Sequence, residues 1–246
     1  MIQRILLSLL LLPTFALAQQ VSKPASKPDT TAASETGAPK VVFTTSVGDF
    51  TVELYPDKAP KTVENFLEYV NSGFYDGTAF HRVVDNFMVQ AGGFTAELKH
   101  KPTRPAIANE ANNGLSNLRG TLAMARTMDP HSATAQFFIN VVDNPRIDYS
   151  GDQNAQTWGY CVFGKIISGM DVIDKIKALP TGAMGPFLSE VPTPLPVIEK
   201  ATVMKPGMPD SAMSNSDKDK ASVKPKASKS PAKTTNEKPA AKKTGG

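Results

Sequence analysis

One cysteine, three histidines and one tryptophan are spread over 246 residues, and each scarcity removes a class of chemistry. Cys161 alone cannot close an intramolecular disulfide, so the fold stands without one. Its neighbours Tyr160, Val162 and Phe163 read as strand core, which marks the thiol as a small buried hydrophobe. His81, His100 and His131 lack metal-ligand spacing, and a single cysteine cannot complete a zinc set. The chain has no G-x-S-x-G elbow and no phosphate-binding glycine loop, and no paired carboxylates stand out. Asp129, His131 and Ser132 are near neighbours in sequence, whereas the members of a nucleophilic triad converge in space. A hydrolase built on Ser132 and His131 is therefore the weakest reading. No apolar run reaches the roughly 20 residues of a membrane-spanning helix. What these absences leave is chemistry without covalent, metal or phosphoryl steps, and no cofactor is expected.

The two ends of the chain differ in composition from its middle. Arg4 precedes an apolar run, Ile5 to Leu12, which Pro13 breaks before Ala16-Leu17-Ala18. A basic start, a short apolar stretch and an A-x-A end make a secretory signal peptide over residues 1–18. No cysteine follows the run, which argues against a lipid anchor. Residues 19–38 are rich in Ser, Thr, Pro, Ala and Lys without apolar periodicity, as in a disordered linker. Residues 207–246 contain no aromatic residue and carry nine lysines against four acidic residues, a net of +5. The whole chain is +4, so residues 1–206 stand at −1. The basic character belongs to the tail and not to the domain over 39–206, which argues against nucleic acid as a partner. The tail reads as a disordered, solvated extension whose charge suits weak binding to anionic surfaces.

Between these ends lie short β-rich runs. Val41 to Thr45 and Phe50 to Tyr55 flank turn chemistry at Ser46–Asp49 and form a hairpin. Ala59 to Gly73 has helical spacing at Val63, Phe66, Leu67 and Val70, with Pro60 in its first turn. Further strands are expected at Ala79–Val84, Phe87–Gln90, Thr121–Ala125, Gln136–Val141, Cys161–Ile166 and Val197–Met204, and a second helix at Met170–Leu179. Short strands with two helices far apart suggest a closed antiparallel barrel, although pattern alone leaves a sandwich open. The long segments Thr95–Leu118 and Asp143–Trp158 read as working loops.

Arg82 is the residue that needs explaining. In Phe80-His81-Arg82-Val83-Val84, strand alternation places Arg82 on one side with Phe80 and Val84, and His81 and Val83 on the other. Met88 and Gln90 likewise share a face. An arginine among apolar residues is either a functional group or a snorkelling or ion-paired structural one, and locally both readings stand.

The stretch Phe80 to Phe94, FHRVVDNFMVQAGGF, closely resembles the signature of the cyclophilins, a family of peptidyl-prolyl cis-trans isomerases. Gly120 to Arg126 with Ala135 to Ile139, and Val162 to Ile166 with Gly169 to Val172, resemble two further segments of the family in the same order. The resemblance covers about residues 40 to 205. It is nearest to the bacterial exported branch. It implies a mainly β fold, a closed eight-stranded antiparallel β-barrel capped by two α-helices.

Residue by residue, the resemblance implies that Arg82 is catalytic. Phe87, Met88, Phe138 and Ile147 correspond to the apolar pocket for the proline ring. Gln90 and Gln136 correspond to groups beside the substrate backbone, and Ala125 and Arg126 to the strand along which the residue before proline lies. Tyr160 stands where the eukaryotic pattern has His, and Arg126 where it has Asn. Arg146 stands where that pattern has Trp, which implies weak sensitivity to cyclosporin, the family's cyclic-peptide inhibitor. Trp158 reads as packing in its loop. The implied function is isomerisation of X-Pro bonds in exported polypeptides, in the periplasm or outside the cell, by a monomer. The alternative is a proline-peptide binding module or chaperone in which turnover is incidental.

The signal-peptide reading carries a direct test. N-terminal sequencing of the exported protein should begin at Gln19, and a mature chain beginning at Met1 would contradict it.

Overall fold

Period-two alternation of residue type along short strands, interrupted by two amphipathic helices, sets the architecture. The computed structural model describes residues 37–204. The leader over 1–18, nearly all of the linker over 19–38 and the tail over 207–246 lie outside the described residues. In chain order the elements are β1 (Lys40–Thr45), β2 (Gly48–Leu54), α1 (Pro60–Asn71), β3 (Thr78–Ala79), β4 (Arg82–Val84), β5 (Met88–Ala91), β6 (Thr121–Met124), β7 (Phe137–Asn140), α2 (Ala155–Trp158), β8 (Val162–Ser168), α3 (Met170–Lys177), β9 (Thr181–Met184), β10 (Phe187–Pro192) and β11 (Val197–Val203).

Nine strands form one antiparallel sheet in the order β3-β11-β1-β2-β8-β6-β7-β5-β4. The strands at its two ends, β3 and β4, are consecutive in the chain and separated only by Phe80 and His81. The sheet therefore curls back on itself, which decides for a barrel over a sandwich. The expected eight-stranded closed barrel is the same fold with a different detail. The segment expected as one strand, Ala79–Val84, is broken at Phe80–His81, so the ladder has nine strands and opens there.

The break also corrects the alternation expected around Arg82. Val84 and Val83 fall on different sides as expected, Val83 toward the main core and Val84 toward the pocket described below. Phe80 does not join Val84. It is fully buried in the main core, 6.4 Å from Phe50 ring to ring. Its backbone N–H donates to Pro196 O, outside the ladder.

The core is aromatic. Phe43 and Phe50 stack at 4.8 Å across the β1–β2 hairpin. Phe66 from α1 meets Phe137 edge-on at 5.6 Å and Phe163 at 4.9 Å. Val172, Ile173 and Ile176 of α3 close the same cluster. Each such side chain, fully buried, stabilises the fold by about 1.5–3 kcal/mol. Helix α1 has no side-chain cap of its own at Ala59. A distant carboxylate replaces it: Glu110 accepts from the Thr62 N–H at 2.8 Å, the Thr62 hydroxyl at 2.7 Å and the Lys61 N–H at 3.2 Å. An anion at a helix N-terminus satisfies orphan donors and opposes the helix dipole favourably.

Sequence pattern missed two elements. Helix α2 is a single turn, held by a capping box between Asn154 and Thr157. The β9–β10 hairpin has the run Thr181-Gly182-Ala183-Met184, largely exposed and without alternation. It lies against the break in the barrel. Phe187 places its ring 5.6 Å from His81 and 5.0 Å from Phe94.

His81 is 2% exposed, and its Nδ1 has no hydrogen-bond partner among the described residues. Burial pushes its pKa down from 6.5 to about 4, and the neighbouring Arg82 charge adds to this. The folded value lies below the unfolded one, so the unfolded chain takes the proton first. The neutral ring's contribution to stability is complete above pH 6.5 and is lost as the pH falls through about 4. Over that window it amounts to roughly 3 kcal/mol. An NMR titration should find His81 still neutral at about pH 5, and a midpoint near 6.5 would contradict its burial.

Candidate active site

The outer face of five adjoining strands carries a second apolar cluster. Met88, Ala123, Phe138 and Val162 are its buried members, with Val84, Phe87, Leu115, Ala125, Ile147 and Tyr160 packed around them. Each has chain neighbours in the main core: Val89 beside Met88, Phe137 and Ile139 beside Phe138, Phe163 beside Val162. Ladder register lines the outer residues into a row, Arg82 opposite Gln90, Gln90 opposite Phe138, Phe138 opposite Ala123 and Ala123 opposite Val162.

Three members of this row, Arg82, Gln90 and Phe138, line a depression together with Phe87, Met88, Ala125, Arg126 and Tyr160. It encloses about 370 Å³ of empty space, counting its open mouth. Eight of the residues singled out from the sequence thus converge on one place. The other two adjoin it. Gln136 accepts a hydrogen bond from Gln90 Nε2 at 2.8 Å and so orients that side chain. Ile147 packs against the same apolar cluster. Gly93 makes room for the Gln136 side chain, because a Cβ there would lie 2.5 Å from it.

The depression sets charged side chains against aromatic ones. The Arg82 side chain is 39% exposed, and its Nε donates to Glu190 Oε2 at 2.6 Å. Sequence reading missed Glu190, which lies on the hairpin it also missed. Phe138 packs edge-on to Tyr160 at 5.5 Å and lies 6.3 Å from Phe87. Arg126 sits 4.5 Å over the Tyr160 ring. Its guanidinium is fixed by three backbone carbonyls, Gly159 O at 3.0 Å, Thr127 O at 2.9 Å and Ala155 O at 2.6 Å. Arg146 lies 5.4 Å over the outer ring, Phe87. The rim is therefore cationic where the eukaryotic pattern has an indole.

Buried amides tie the rim to the floor. Asp148, next to Ile147, accepts from Asn117 Nδ2 at 2.8 Å and from the Asn117 N–H at 2.7 Å. Asn140 Nδ2 donates to Asn117 Oδ1 at 3.2 Å, and Asn144 Nδ2 donates to Asn140 Oδ1 at 2.8 Å and to Phe87 O at 2.9 Å. Such a chain is costly to leave half-made and rigid when complete. It fixes the loop after β7 relative to Phe87.

The competing constellations do not assemble. Ser132 Oγ donates to Asp129 O at 2.7 Å, and His131 Nδ1 accepts the Asn109 N–H at 3.1 Å. The three residues shape a turn, without a bond from serine to imidazole. Cys161 is buried, and burial pushes its thiol up to about 12, which leaves it inert as a nucleophile. Trp158 packs on His131 and Tyr149, away from the pocket lining.

Comparison with known proteins gives a consistent set of likenesses. Residues 40–203 match the family profile described as cyclophilin type peptidyl-prolyl cis-trans isomerase. Peptidyl-prolyl cis-trans isomerase B of Escherichia coli is 56% identical over 163 residues, covering 66% of this chain and 98% of that protein. Peptidyl-prolyl cis-trans isomerase A of Dickeya dadantii is 51% identical over 165 residues, covering 67% of this chain and 84% of that protein. Among solved structures, a Cryptosporidium parvum cyclophilin type isomerase superposes with a TM-score of 0.55 at 24% identity, over 68% of this chain and 98% of its own, a likeness of fold. A cyclophilin from Hirschia baltica gives a TM-score of 0.52 at 25% identity, over 66% and 73% of the two chains.

Proposed function

The chain belongs to the cyclophilin-type peptidyl-prolyl cis-trans isomerases, and from that premise we propose that Arg82 carries the reaction by stabilising the twisted X-Pro amide. Partial double-bond character holds a peptide bond planar behind a barrier of roughly 18–20 kcal/mol, and uncatalysed X-Pro exchange takes on the order of 10–100 s. No bond breaks, so the enzyme needs only to favour the twisted state over both planar ones. In that state the prolyl nitrogen becomes pyramidal and gains a lone pair. A guanidinium stays charged at any working pH and donates in a fixed fork, so Arg82 serves both that nitrogen and the proline carbonyl.

The convergence of Arg82 with Phe87, Met88, Gln90 and Phe138 on one depression is the observation that supports this reading. Phe87, Met88 and Phe138 grip the proline ring while the preceding carbonyl swings. Water-poor walls strengthen the guanidinium's interaction. Gln90, braced by Gln136, holds the substrate backbone. The residue before proline lies along Ala125 and Arg126, with Tyr160 closing the pocket and Ile147 supporting its floor.

The physiological substrates in this reading are proline-containing polypeptides exported with the enzyme, met in the periplasm. Secretion from the cell is the alternative destination. The signal-like residues 1–18 support export. The lysine-rich tail adds weak attraction to anionic surfaces, and the domain acts as a monomer.

In a protease-coupled proline-peptide assay, Arg82→Ala should lower kcat/KM by about 10²-fold or more while the protein stays folded. Full activity would remove Arg82 from the mechanism and favour a binding module. The cationic rim predicts a second outcome. Cyclosporin should inhibit the wild type weakly, because Arg146 supplies charge where an indole N–H is expected. Nanomolar inhibition in the same assay would contradict it.

A further inference from the structure

An arginine that must aim two donors at a reacting amide has a problem of its own. Its stem is long and unbranched, and a half-exposed guanidinium rotates freely unless something holds it. Among the described residues, Glu190 is the one ionic partner of Arg82, and it grips the Nε. Nε is the nitrogen nearest the stem. Holding it fixes the plane of the guanidinium and leaves both Nη groups as donors for a substrate.

The hairpin is irregular at the residue that makes this contact. Glu190 has φ +66°, one of two non-glycine residues with positive φ among the described residues. That backbone is unfavourable for a residue with a Cβ. The β9–β10 register also shifts between Phe187 and Val191, and such irregularities re-aim a side chain. Both flanks are anchored. Val191 is fully buried and pairs with Gly182, and Phe187 rests on His81 and Phe94. The deformed residue between the anchors is the one that reaches Arg82. An ion pair with both side chains 39% exposed contributes little to fold stability.

We propose that Glu190 is a positioning residue of the isomerase: through Arg82 Nε it holds the guanidinium in the plane from which the two Nη groups meet the twisted amide. This rests on the role given above to Arg82. The carboxylate also partly neutralises the charge it orients. The proposal is that orientation outweighs that loss, because donors misplaced by about 1 Å cost up to roughly a hundredfold in rate.

The test uses the full chain with kcat and KM resolved. Glu190→Ala should lower kcat about tenfold with KM nearly unchanged, and its melting temperature should stay within about 3 °C of the wild type. Glu190→Gln keeps an oxygen for Nε–H and should recover most of the loss. In an Arg82→Lys background, where no Nε–H fork remains, Glu190→Ala should cost little more, since coupled residues are non-additive. Wild-type activity in Glu190→Ala overturns the proposal. So does a Gln variant no better than Ala, or an equal loss in the Arg82 and Lys backgrounds. If Arg82→Ala is itself fully active, the role of Arg82 fails. If Arg82→Ala is inactive and Glu190→Ala is not, only the positioning role fails.

Discussion

One constraint governs the molecule: five adjoining strands must bury both of their faces. Val83, Val89, Phe137, Ile139 and Phe163 turn into the barrel, while Arg82, Met88, Gln90, Phe138 and Val162 turn outward. The side-chain period in a strand is two, so a slip of one residue would exchange the two sets. Packing of the aromatic core therefore fixes the register, and the register fixes the row that contributes Arg82, Gln90 and Phe138 to the pocket. The site inherits its rigidity from the barrel, as a site built on strands should.

The chemistry suited to such a pocket is conformational. The depression sets Phe87, Met88 and Phe138 beside two arginines, Arg82 and Arg126, and a braced glutamine. Titratable groups inside the fold are held in neutral or inert forms, His81 by a depressed pKa and Cys161 by a raised one. In the proposed mechanism, activity drawn from a permanently charged guanidinium does not depend on protonation in the way that general acid–base catalysis does.

Segments distant in sequence supply the bracing. Glu110 caps α1, the chain from Asp148 through Asn117, Asn140 and Asn144 fastens the rim, and Glu190 reaches Arg82 from the β9–β10 hairpin. Each is a polar side chain that reaches a partner far away in sequence.

The sequence alone determined the elements whose signal is local. Alternation marked the strands of the main sheet, helical spacing marked α1 and α3, and three ordered segments resembling the cyclophilins pointed to Arg82, Phe87, Met88, Gln90 and Phe138. Tertiary structure alone decided the break at Phe80–His81, where two aromatic environments compete for adjacent residues. It also decided the bracing of Gln90 by Gln136 and the pairing of Arg82 with Glu190. Nothing in the exposed run Thr181 to Met184 alternates, so the hairpin leaves no periodic trace. A contact spanning 108 residues depends on where the barrel brings two strands together, and no local pattern encodes that.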